Sequence, residues 1–111
     1  MRFSKEMLKG SAEIIVLKIL ADENENYGYE LIKAIRAQSN DIFHLQEGTL
    51  YPLLYRLEKK KYITSTVKKA ASGKDRRYYS LTSVGKKILA QGEKEIQAFA
   101  RGLKNVFHFS L

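Results

Sequence analysis

The sequence predicts a mainly α, α+β fold built from three amphipathic helices, a two-stranded β-hairpin and a long closing helix. Three observations lead there. Leu50, Leu53, Leu54 and Leu57 fall at i, i+3, i+4 and i+7, the spacing of one helical face. Two runs that alternate every second residue, ITSTVKKA and RRYYSLT, flank the turn-forming ASGKD, as the arms of a hairpin do. From Leu89 onward, Gly92, Ile96, Phe99, Leu103 and Val106 recur at steps of three and four, a heptad stripe suited to packing on another helix.

In chain order, Leu8, Ala12, Ile15, Ile19 and Leu20 share helical spacing, and the polar DENEN at 22–26 ends that first helix. Gly28 opens a second, YGYELIKAIRAQS, with Leu31, Ile32 and Ile35 on one face and Asn40 and Asp41 as its stop. The third lies in EGTLYPLLYRLEKKKYI at 47–63. Thr49 as N-cap puts Pro52 in the first turn, where N–H groups lack an intrahelical acceptor and a residue without one costs nothing. Gly48 leaves room there for a backbone or a phosphate to approach. Thr82 is placed to cap the closing helix, so the expected units are a domain over 1–82 and a helix over 83–111.

A chain of 111 residues, 44% hydrophobic and 29% charged, suits one compact domain. No apolar run approaches the roughly 18 residues of a membrane span, and Glu13 and Lys18 interrupt the N-terminal apolar positions that a signal peptide would need. Without cysteine there is neither a disulfide framework nor a thiolate site, which fits a reducing cytoplasm. The expected location is cytoplasmic, with no membrane partner.

Charge is unevenly placed. The net charge is +8, yet 56–87 alone carries eleven Lys and Arg against Glu58 and Asp75. Three helices and a hairpin, with positive charge on the third helix and the hairpin, describe a winged helix-turn-helix. In such a fold the third helix enters the major groove and the hairpin follows the backbone.

Candidate contacts follow. Tyr51 and Tyr55 lie four apart, opposite Leu50, Leu53 and Leu57, so packing within the domain does not readily account for them. A phenol hydroxyl can reach a phosphate or a base edge. Lys59 stands one turn beyond Tyr55, whereas Lys61 is expected to point to solvent. Lys68, Lys69, Lys74, Arg76 and Arg77 exceed what keeps a hairpin edge soluble and suit phosphate contact. The stripe of Leu89, Ile96, Phe99, Leu103 and Val106 is expected to form a homodimer, which would also cover Phe107, Phe109 and Leu111. Two groove helices would then stand about 34–36 Å apart and read a palindrome.

No catalytic or metal constellation is visible. His44 and His108 are far apart, with no cysteine or evident carboxylate partner. The acidic DENENYGYE lacks the spacing of a calcium loop, and neither a phosphate-binding glycine loop nor a serine-hydrolase elbow occurs. No cofactor, no metal and no enzymatic activity are expected.

YGYELI at 27–32, GTLYPLLYRLEKKKYI at 48–63, RRYYSLT at 76–82 and the following SVGKK resemble the PadR family of bacterial transcriptional regulators over nearly the whole chain. The resemblance implies a winged-helix homodimer of the short type, with one C-terminal dimerisation helix. It implies a repressor that binds a double-stranded DNA operator and releases it to a small hydrophobic or aromatic effector. Matched to the family's groove helix, 47–60 puts Thr49, Tyr51, Pro52 and Tyr55 on the DNA side, and 63–82 becomes the wing. Some members stack flat compounds on a tryptophan of the last helix. This chain has none, and Ile96 stands near that place. An effector would be sought between the closing and first helices, among Met7, Leu8, Ile96 and Phe99. The alternative is a winged-helix module that meets an acidic protein rather than DNA.

Overall fold

The computed structural model describes residues 5–110. In order come α1 (Lys5–Lys9), α2 (Ala12–Glu23), β1 (Asn26–Tyr27), α3 (Gly28–Gln38), α4 (Glu47–Lys59), β2 (Ile63–Lys69), β3 (Asp75–Leu81) and α5 (Ser83–Phe107). Leu111 lies outside the described residues, so its expected cover is not addressed.

The core forms where α2, α3 and α4 turn their apolar faces together. Val16, Leu17, Leu20, Leu31, Leu50, Leu54 and Leu57 are all fully buried there, each worth about 1.5–3 kcal/mol relative to exposure. All four leucines of the EGTLYPLLYRLEK helix face inward. Val16 and Leu17, which a single-face spacing leaves out, are buried because α2 is covered by α3 on one side and by α5 on another.

The first predicted helix is broken. Gly10 and Ser11 separate α1 from α2, and the Ser11 N–H bonds the Leu8 carbonyl at 3.1 Å in a tight turn. Glycine is a weak helix former, and a side chain at Gly10 would touch nothing within 4 Å, so no packing holds the helix through it. α2 ends where Asn24 takes φ 67°, a conformation that asparagine tolerates better than most residues.

The hairpin pairs β2 with β3 antiparallel, setting Lys68 opposite Arg76 and Lys69 opposite Asp75. Its turn closes through the Ala70 N–H to the Lys74 carbonyl at 2.8 Å, with Gly73 at φ 89°. The short strand β1 joins the other side of β3, with Tyr27 opposite Tyr78, so the sheet order is β1-β3-β2. Two residues are too few for a periodic signal, so β1 leaves no trace in the sequence pattern.

Thr82 caps α5 as expected, its Oγ1 accepting the Gly85 N–H at 3.0 Å. Two glycines bring that helix close to the body. A β-carbon on Gly85 would stand 2.0 Å from the Tyr62 carbonyl oxygen, and one on Gly92 would stand 2.4 Å from Cδ1 of Ile14. Beyond Gly92 every α5 residue is exposed. Among the described residues, no helix is long and apolar enough to cross a membrane.

Candidate nucleic-acid interface

Helix α4 begins earlier than its proline suggests. Glu47 is its first residue and Gln46 its N-cap, with the Thr49 and Leu50 N–H groups both reaching the Gln46 carbonyl at 3.0 and 2.9 Å. Thr49 is therefore inside the helix and not its cap, and Pro52 lies in the second turn. There the ring removes the N–H that the Gly48 carbonyl would otherwise meet. Opposite the buried leucines, Gly48, Thr49, Pro52, Tyr55, Arg56 and Lys59 are exposed, Tyr55 at 67%.

Tyr51 behaves differently from Tyr55. It is half exposed at 45%, and its ring crosses the first residue of α3, close enough that a β-carbon at Gly28 would displace it. The expectation that no contact within the domain accounts for both tyrosines therefore fails for Tyr51, which packs on Gly28.

The wing has two chemically distinct faces, as strand alternation requires. On one, Lys68 sits 4.6 Å over the Tyr78 ring and pairs with Glu25, while the Arg76 guanidinium carbon lies 5.4 Å from the Tyr27 ring centre. Tyr27 and Tyr78 meet edge to face at 5.3 Å. On the other face, Arg77 donates to the Ser65 hydroxyl at 3.1 Å, and that hydroxyl donates to Glu58 at 2.7 Å. This relay ties the hairpin to the end of α4. Lys69 faces Asp75 at 3.7 Å, and the exposed Lys74 side chain at the tip meets no acid among the described residues. Lys60 faces Glu13 at 3.4 Å, leaving Lys59 as the more available lysine of that pair.

Burial raises the hydroxyl pKa of Tyr27, with Glu30 adding to it, and burial likewise raises that of Tyr79, with Glu58 adding to it. Both phenols are held in their neutral, hydrogen-bond-donating form.

A cleft of about 160 Å³ joins the two elements, lined by Tyr27, Gly28, Tyr29 and Tyr51 on one side and by Asp75, Arg76, Arg77 and Tyr79 on the other. The structure thus brings Tyr51 of α4 together with Arg76 and Arg77 of β3. Gly48, Lys59, Lys68, Lys69 and Lys74 lie elsewhere on the same two elements.

A second, apolar groove of about 360 Å³ runs between α2, α3 and α5, lined by Ile14, Ile15, Ile19, Ile35, Phe43 and Ile96, with Lys18, Asp22 and Glu93 among its polar residues. Of the effector candidates only Ile96 lines it. Met7 is exposed, Leu8 is half-buried on α1, and Phe99 lies one turn farther along α5. Spacing within single helices could not reveal Phe43, which arrives from the loop after α3.

The α5 stripe also divides. Leu89 is buried in the chain's own core at 7% exposure, so it is not free to meet a second chain as expected. Ile96, Phe99, Leu103 and Val106 are exposed, Phe99 and Val106 at 68% and 72%. Phe107 and Phe109 stack on one another at 5.5 Å beside them.

His44 does have a carboxylate neighbour, contrary to expectation: its Nε2 is 3.4 Å from Asp41 and 2.7 Å from the Asp41 carbonyl oxygen. Asp41 is held below the usual carboxylate range, first by the hydrogen bond from Arg36. Among the described residues no group of three or more His, Cys, Asp or Glu side chains could hold a metal ion.

The model of the transcriptional regulator PadR-like family matches residues 16–91. The chain belongs to that family. Among solved structures, it is similar to a PadR-like transcriptional regulator from Bacillus cereus at a TM-score of 0.79 and 31% identity, covering 95% of this chain and 99% of that one. It is 34% identical to an uncharacterised protein of Lysinibacillus sphaericus, over 89% of this chain and 96% of that protein. It is 29% identical to a transcriptional regulator of Mycobacterium tuberculosis, over 87% and 86% of the two chains. The fold is accordingly the winged helix of PadR-like regulators, and PadR-like regulators are not enzymes.

Proposed function

We propose that this PadR-like regulator is a homodimeric repressor. It reads a palindromic operator in double-stranded DNA with α4 in the major groove and lays its wing along the backbone. One observation carries this reading: Tyr51 of α4 and Arg77 of β3 line the same cleft, so the outward stripe of the helix and the basic hairpin make one continuous surface. On that surface Thr49, Pro52 and Tyr55 reach base edges, and Gly48 admits the backbone. Lys59, Lys74 and Arg77 neutralise phosphates. Lys69 joins them from beside Asp75, and Lys68 and Arg76 hold the wing against Glu25 and Tyr27 while adding positive charge.

The unit over 1–82 binds DNA and the helix over 83–111 dimerises. Ile96, Phe99, Leu103 and Val106 then meet the same face of a second chain, and the stacked Phe107 and Phe109 extend that contact. A small hydrophobic or aromatic effector enters the groove beside Ile96, where it touches both the DNA-binding body and the dimerisation helix and can alter the distance between the two copies of α4. A regulator of this kind works in the cytoplasm.

A nuclease footprint on the region upstream of its own gene tests the reading. Two protected half-sites related by a dyad are expected. A protein that co-purifies with the chain, together with an unprotected upstream region, would replace the reading with that of a protein-interaction module.

A further inference from the structure

Two apolar features are left uncovered by the chain's own fold. One is the groove between α2, α3 and α5, where Ile14, Ile15, Phe43 and Ile96 line about 360 Å³. The other is the aromatic pair at the end of α5, where Phe107 and Phe109 stack at 5.5 Å and are 59% and 50% exposed. That pair is held in place. His108 turns left-handed at φ 61°, and its N–H and that of Phe109 both reach the Lys104 carbonyl, the second at 3.1 Å. Within one chain the two features cannot meet, because Phe107 lies about 21 Å of helix beyond Glu93 in the groove wall.

The exposed stripe brings them together across a two-fold axis. Ile96 and Val106 stand five residues either side of Arg101, and Phe99 and Leu103 stand two. An antiparallel pair of α5 helices centred there sets Ile96 against the partner's Val106 and Phe99 against the partner's Leu103. In that register the partner's Phe107 falls opposite position 95, beside Ile96. It also falls on the correct flank: at about 100° per residue, Phe107 lies to the same side of the stripe as Glu93 and Gln97, and a two-fold axis keeps each flank on its own side. A parallel pair would leave groove and rings both uncovered. Charge agrees with the antiparallel arrangement. Residues 96–111 carry Arg101 and Lys104 and no acid, while the groove rim sets Asp22 and Glu93 against Lys18.

We propose that in the dimer the partner's Phe107 and Phe109 fill the groove between α2, α3 and α5, so that each groove is completed by the other chain. The proposal rests on the homodimer reading and goes beyond it in saying what occupies the groove. An effector then enters by displacing these rings, which couples its binding to the contact that spaces the two DNA-binding bodies.

The chain has no native cysteine, so the full chain carrying both Lys18→Cys and Phe107→Cys can be treated with a short bismaleimide. Lys18 lines the groove with its side chain 53% exposed. A covalent dimer is expected, with position 18 of one chain joined to position 107 of the other by mass mapping. Phe107→Cys alone should give none, because the two copies of position 107 stand about 18 Å apart along the pair. Phe107→Trp supplies a second readout, since the chain has no other tryptophan. Its emission should be blue-shifted in the dimer and should move to the water-exposed value when Phe99→Glu separates the chains. If the double-cysteine variant does not fold, this emission decides alone. A dimer in which positions 18 and 107 stay unjoined and the tryptophan emits as in water overturns the seat and leaves the dimer standing. Cross-linking of Phe107→Cys to its own copy overturns the register and the seat with it. Wild type that sediments as a monomer overturns the seat and the homodimer together.

Discussion

The phenol of Tyr51 crosses Gly28 so closely that a β-carbon on the glycine would stand 2.7 Å from the tyrosine hydroxyl oxygen and 2.8 Å from two ring carbons. The helix proposed for the groove is thereby keyed to the first turn of the helix before it. What blocks the added carbon is the end of a side chain, and a side chain can swing away.

Gly28→Ala should therefore move Tyr51 without unfolding the protein. Alanine is the better helix former, so the thermal midpoint should change little, while affinity for the upstream duplex falls. Melting curves and anisotropy titrations of the variant check this, and unchanged affinity would show that the position of Tyr51 does not matter to binding.

The two α5 glycines should rank differently. At Gly85 the obstacle is the Tyr62 backbone carbonyl at 2.0 Å, and at Gly92 it is the Ile14 side chain at 2.4 Å. Gly85→Ala should cost about 3 kcal/mol and Gly92→Ala about 1 kcal/mol, the two ends of the range for overpacking. Urea unfolding measures both, and equal losses would contradict the ranking.

Charge placed on the outer half of α5 should separate assembly from folding. Phe99→Glu and Val106→Glu alter side chains that are 68% and 72% exposed, so they should convert a dimer to a folded monomer in sedimentation runs. Leu89→Ala opens the core instead and should cost about 2–5 kcal/mol. A Phe99→Glu variant that remains dimeric would remove the stripe from the interface.

Acid stability carries the mark of Asp41. Its folded pKa lies below the ordinary 3.8 because Arg36 hydrogen-bonds it, so its contribution is complete above the unfolded value and is lost as pH falls through the folded one. Asp41→Asn should flatten the stability curve below about pH 4 and leave its shape unchanged above about pH 5. Curves of the same shape throughout would show that the Arg36 contact adds nothing.

What was legible in the sequence was what repeats locally. The four leucines of α4, the alternating arms of the hairpin and the Thr82 cap each announce themselves within a few residues, and the structure has them all. The break at Gly10 was hidden because Leu8 and Ala12 keep helical spacing across it. The depth of Pro52 is not legible because Thr49 has the chemistry of a side-chain cap, whereas the helix starts at Glu47 with no such cap. The cleft could not be read at all. Tyr51, Gly28 and Arg76 are far apart along the chain, and the pairing of Glu25 with Lys68 spans 43 residues. Such contacts follow from how the elements pack and leave no periodic trace.

The claim that α4 and the wing form one nucleic-acid surface is tested most directly by anisotropy titration of the upstream duplex with wild type, Tyr55→Ala, Arg77→Ala and the double variant. Tyr55 is 67% exposed on α4, so Tyr55→Ala should not lower the melting temperature appreciably. Arg77→Ala also removes the bond to Ser65 and should lower it by a few degrees, about what one lost hydrogen bond costs, leaving the protein folded at the titration temperature. Each single variant should bind about tenfold more weakly, and Arg77→Ala alone should reduce the salt slope by about 0.9. Wild-type affinity in both single variants, with an unaltered slope, would contradict the account.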